Sequence, residues 1–212
     1  TEAEAVKREI REYEKRNNKE LLEKDVRLGD IDTSLITDMT ELFRDSMRKN
    51  FDGLETWDTS KVTTMKGMFY RAKYFNHPIG DWDVSKVEDM SYMFCEAPAF
   101  NQPLEKWDVS NVQRMDSMFA WAYSFNQPIE RWNVSNVYSM KAMLHFAKSF
   151  NQPLNGWDMS GVGTIWAMFA GAKSFNQPLD KWDTSSISEM QYAFSECYEF
   201  NQNIDSWDTS NV

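Results

Sequence analysis

Apolar and polar positions along the chain recur with a period of 25 residues, held without insertion or deletion from Trp57 to Trp207. Trp57, Trp82, Trp107, Trp132, Trp157, Trp182 and Trp207 mark the period most plainly. Five residues beyond each stands Val62, Val87, Val112, Val137, Val162, Ile187 or Val212, and eight beyond stands Met65, Met90, Met115, Met140, Ile165 or Met190. Further columns follow as Met68 to Met168, Phe69 to Phe194, the small residues Ala72 to Cys197, Phe75 to Phe200, and Ile79 to Ile204. A period of this length is the mark of a repeat architecture, in which each unit buries its apolar face against its neighbours.

Within a repeat, Leu104-x-x-Trp107-x-Val109 has the alternation of a strand, with Trp107 and Val109 inward and Asp108 and Ser110 displayed outward. Ser110 then reads as an N-cap, and Val112, Met115, Met118, Phe119 and Ala122 follow the rhythm of a short helix. Ser85 to Glu88 and Ser110 to Gln113 match a capping box. The return segment is Phe-Asn-Gln-Pro, as at Phe100 to Pro103, where proline biases the chain toward extended backbone. The asparagines Asn76, Asn101, Asn126, Asn151, Asn176 and Asn201 are placed to bond the backbone of adjacent coils. The pattern predicts an α/β repeat solenoid, a leucine-rich-repeat-like right-handed coil with one short parallel strand and one short helix per repeat.

Residues 1–28 read as an N-terminal helical cap, because Val6, Ile10, Tyr13, Leu21 and Leu22 keep helical spacing among charged residues. A degenerate first repeat covers 29–56, six regular repeats cover 57–206, and 207–212 begins a further one. The stop six residues into a repeat predicts a chain that has been cut, is disordered beyond this point or continues into another module, with an open edge at Trp207 available for end-to-end packing.

The hydrophobic fraction of 42% is ample for a core, while no apolar run approaches a membrane-spanning length. The first residues lack the apolar stretch of a signal peptide. Net charge is −10, which argues against nucleic acid as a partner, since phosphates call for a basic surface. Cys95 and Cys197 stand about four coils apart, roughly 20 Å at sheet spacing, and are expected as free thiols. His77 and His145 are nearly three coils apart and read as surface substitutions, with no metal or catalytic pair implied.

The run from Phe100 to Phe119, Phe-Asn-Gln-Pro-Leu-x-x-Trp-Asp-Val-Ser-Asn-Val-x-x-Met-x-x-Met-Phe, resembles the repeat of the BspA-like leucine-rich repeat family, first noted in mycoplasma surface lipoproteins. The resemblance covers residues 57–212 well and 29–56 loosely. It implies surface display, a cell-surface or extracellular location and adhesion, and it brings no catalytic residues with it.

The most informative chemistry is the aspartate column, Asp58, Asp83, Asp108, Asp158, Asp183 and Asp208, interrupted by Asn133. In one reading each carboxylate accepts hydrogen bonds from the serine two residues on or from nearby backbone amides. In the other the carboxylates form an acidic strip that recruits a basic partner or a divalent cation such as calcium, although one carboxylate per coil is few for an oxygen cage. Trp121 and Trp166 stand outside the tryptophan column, where other repeats carry residues such as Arg71 and Glu96, and are candidate anchors for a partner. Asn133-Val134-Ser135 fits a glycosylation sequon, but its slot holds Asp-x-Ser elsewhere. The residue before each tryptophan drifts through Thr56, Asp81, Lys106, Arg131, Gly156, Lys181 and Ser206 while the core columns hold. With no nucleophile beside a base, no metal cluster and no phosphate loop, the sequence predicts a non-catalytic scaffold without cofactor that binds a protein or glycan partner. A structural spacer or assembly subunit is the alternative.

Overall fold

The computed structural model describes residues 27–212. The capping helix expected over 1–28 falls on residues 1–26 almost entirely, outside the described residues. From Leu28 onward the chain winds into stacked coils that hydrogen-bond to one another. Thr64, Asp89, Arg114, Ser139, Thr164 and Glu189 pair in succession at the repeat period, while Asp38 meets Thr64 one residue out of step, so the first coil is longer by one.

The strand and helix expected in each repeat are absent. The only helical elements among the described residues are two three-residue 3-10 turns, Leu28–Asp30 and Leu54–Thr56. Among the described residues parallel pairing is confined to the single-residue bridges of the Thr64 column, seven residues beyond the tryptophan rather than at Leu104 to Val109. Trp107 and Val109 are buried and Asp108 is exposed, so the alternation is present without a strand ladder to accompany it.

Where a helix was expected after Ser110, the backbone runs as linked turns. The N–H groups of Met118, Ala120 and Ala122 reach carbonyls three residues back at 3.1–3.2 Å. Between them, the N–H groups of Met115, Ser117, Phe119 and Trp121 donate to Ser139, Lys141, Met143 and His145 of the next coil at 2.7–3.1 Å. An α-helix would turn all of these donors onto carbonyls four residues back. Ser117 and Trp121 have φ of 53° and 61°, in the left-handed region that interrupts a right-handed helix. Each coil repeats the arrangement, as at Tyr92 and Glu96 or Ala142 and Phe146. Apolar spacing of three and four residues serves linked turns as well as a helix, and bonding to a neighbouring coil satisfies the amides that the helix would have satisfied internally.

Two further devices join the coils. The indole N–H of each column tryptophan donates to a backbone carbonyl of the preceding coil, as Trp132 does to Leu104 at 3.0 Å and Trp157 to Ile129 at 3.0 Å. The Oδ1 of Asn126 accepts from the Asn151 backbone N–H at 3.0 Å and from the Gln152 side-chain amide at 3.0 Å, and this pattern runs from Asn76 to Gln202. Phenylalanines fill the interior. Phe94 stacks on Phe100 of its own coil at 3.9 Å and on Phe119 of the next at 5.5 Å, and Leu144 interrupts that ladder. No helix among the described residues is long and apolar enough to cross a membrane.

Candidate functional site

Asp58, Asp83, Asp108, Asp158, Asp183 and Asp208 all lie exposed, and each accepts the backbone N–H of the serine two residues on at 2.9–3.0 Å. Asp58, Asp158 and Asp183 also accept the serine hydroxyl at 2.6 Å. These bonds to serine hold the Asp58, Asp83, Asp158, Asp183 and Asp208 carboxyls below their usual range. Asn133 makes the same two bonds to Ser135, at 3.1 and 2.7 Å, which is why an amide is tolerated there. One oxygen of each side chain is therefore engaged in closing a local turn. Among the described residues no group of three or more His, Cys, Asp or Glu is placed to hold a metal ion.

Trp121 and Trp166 sit on the linked-turn face, not on a helix, and in different columns. Trp121 belongs with Arg71, Glu96, Phe146, Gly171 and Glu196, whereas Trp166 stands with Lys66, Ser91, Asp116 and Lys141. Trp121 lies flat on Phe146 at 4.3 Å. Trp166 meets Tyr192 edge to face at 6.1 Å and 85°. The two tryptophans do not touch, but the structures they build do converge. Phe146, Trp166 and Tyr192 line one groove of about 200 Å³ together with His145, Ala167, Ala170, Gly171, Ser195 and Glu196.

The groove follows from its small side chains. Ala142, Ala167 and Ala170 form an apolar cluster separate from the main core. Gly171 has φ of +71°, and a Cβ there would stand 2.6 Å from the Phe146 ring, so glycine alone lets Phe146 lie down across it. Trp166 and Tyr192 remain 41% and 66% exposed.

His145 is half-buried rather than superficial, edge-on to Trp121 at 5.6 Å. Burial lowers the pKa of its imidazole, which keeps it neutral in neutral solution. His77 instead faces Glu55 at 2.5 Å. Cys95 and Cys197 are free and buried, with their thiol pKa values pushed up by burial to about 12 and about 11. Sequence reasoning missed Phe146, Gly171, Tyr192 and Glu196. The available signal was the departure of Phe146, Trp166 and Gly171 from their columns in two successive repeats.

Comparison with known proteins finds no match among curated proteins and none among solved structures. One family model, described as Mycoplasma protein of unknown function, DUF285, matches residues 11–128, 37–157 and 147–212. The overlap of the first two spans is what a repeated unit produces, since a model several coils long fits in more than one register. Taken together the matches reach from residue 11 to residue 212, so the chain belongs to the Mycoplasma family of unknown function DUF285.

Proposed function

We propose that the chain is a non-catalytic scaffold of the BspA-like kind, displayed at a cell surface, that recognises a protein partner through the linked-turn face of its coils. The observation that carries this reading is the groove lined by Phe146 and the Trp166–Tyr192 pair. Large aromatic side chains held open on a rigid frame are the usual anchors of an interface, because they bury much area at little entropic cost. The aspartate strip is secondary, since one oxygen of each carboxylate is engaged in a serine turn.

The test is a photo-crosslinking side chain placed at Tyr192 in one variant and at Asp108 in another, each exposed to the surface fraction of the cells that make the protein. A defined adduct from position 192 alone is the expected result. Adducts from position 108 alone would move the contact to the aspartate strip. Adducts only with other copies of the chain would replace this reading with that of an assembly subunit.

A further inference from the structure

We infer that the groove receives an arginine side chain of the partner protein, with Glu196 as its counter-charge and the Trp166 and Tyr192 rings against its guanidinium. The inference rests on the scaffold reading above and names what the scaffold holds.

The argument comes from a seat that the chain fills for itself four coils earlier. There, Arg71 donates from Nε to Glu96 at 3.1 Å, and its guanidinium lies over the Tyr70 ring at 4.8 Å. Arginine, carboxylate and aromatic face form one unit across two adjacent coils. Glu196 occupies the column of Glu96, and Gly171 occupies the column of Arg71. The carboxylate is thus retained while its arginine is replaced by Gly171, across which Phe146 lies, and its tyrosine by Ala170, so that in the groove the aromatic faces come from Trp166 and Tyr192 instead. Among the described residues Glu196 has no ion pair, and the place beside it is the groove.

The ring faces point to the same ligand. Tyr70, Tyr74, Tyr123 and Tyr198 each carry a lysine or arginine of the chain itself within 5.6 Å of the ring centre. No cation of the described residues stands over Trp166 or Tyr192, though both are exposed. Two rings at 85° make a corner in which a cation meets electron-rich surface. A guanidinium suits this corner better than an ammonium, because it is planar, weakly hydrated and stacks on aromatic faces while its edge bonds a carboxylate. The net charge of −10 favours a cation over any anionic group. A choline headgroup shares the cationic chemistry, but its phosphate would approach Glu196 and an acidic protein.

The intact protein is titrated with a short glycine peptide carrying one arginine, with the same peptide carrying citrulline in its place, and with phosphatidylcholine vesicles. Binding is read from the indole N–H resonance of Trp166. The arginine peptide should shift that resonance, and citrulline, which keeps the shape but loses the charge, should bind roughly tenfold more weakly or worse. Glu196→Gln should reduce arginine binding to a similar degree, with an unchanged melting temperature showing that the fold is intact. Equal binding of citrulline, no binding of either peptide, indifference to Glu196→Gln, or preference for the vesicles would each overturn the assignment. If the position 192 adduct forms while the arginine peptide fails, the arginine inference falls and the scaffold reading stands.

Discussion

The indole N–H of Trp107 donates to the backbone carbonyl of Ile79 at 3.1 Å, and the backbone N–H of Trp82 reaches that same oxygen at 3.2 Å. One carbonyl thus closes a turn in its own coil and receives a side chain from the next. Replacing Trp107 with Phe removes the inter-coil bond and part of the buried ring while keeping a six-membered ring in place, and should cost about 2–3 kcal/mol in denaturant unfolding. Trp107→Ala also empties the core and should cost about 3–5 kcal/mol. Equal losses for the two would mean that the packing of the ring adds nothing beyond the bond.

Asn126 should resist substitution more than its half-buried position suggests. Asn126→Ala removes an acceptor for two donors of the next coil and gives up its place in the ladder, with an expected loss of about 1–3 kcal/mol. Asn126→Asp keeps Oδ1 as an acceptor and should lose less. The comparison is made by chemical denaturation of both variants.

Acidification should destabilise the fold. The carboxyls of Asp58, Asp83, Asp158, Asp183 and Asp208 are held below the ordinary aspartate value by their bonds to serine. A folded pKa below the unfolded one gives stability that is present above the unfolded value, about 3.9, and is lost as pH falls through the folded value. Melting temperature should therefore drop as the pH is taken from neutral to below about 4. Changing these five residues to Asn, which already serves at position 133, should flatten that dependence. A melting temperature that rises on acidification would mean that repulsion along the strip outweighs the hydrogen bonds.

Gly171→Ala should destabilise the protein and close the groove together, because the new Cβ meets the Phe146 ring at 2.6 Å on backbone already at φ +71°. The expected loss is about 1–3 kcal/mol. Adding Phe146→Ala should recover part of it, which a double-mutant cycle on unfolding free energies would measure.

Cys95 and Cys197 should remain unlabelled by a thiol reagent at neutral pH while the protein is folded. Their pKa values of about 12 and about 11 leave almost no thiolate, and both are buried. Both should label on unfolding, and labelling rates against denaturant check this.

The repeat columns, the burial of the tryptophans and phenylalanines and the bonding role of the asparagines were legible in the sequence. The path of the backbone was not. Left-handed residues usually announce themselves as glycine, yet here the two such positions of each coil are held by residues such as Tyr92, Ser117, Ala142 and Trp121. With glycine in those columns only at Gly67 and Gly171, the three-and-four spacing of Met115, Met118, Phe119 and Ala122 reads as a helix. The groove escaped for a different reason. Trp166 stood out as an odd tryptophan, but Gly171 and Glu196 acquire meaning only once Arg71 and Glu96 are seen to bond across adjacent coils.

Because the regular junctions share the same column-to-column bonds, coils are largely interchangeable parts, with local exceptions such as Gly171 beneath Phe146. A recombination event that adds or drops a whole coil leaves the frame sound while shuffling what it displays. The groove draws on three successive coils, through Phe146, Gly171 and Glu196, so one such event could create it or erase it in a single generation without passing through an unfolded ancestor.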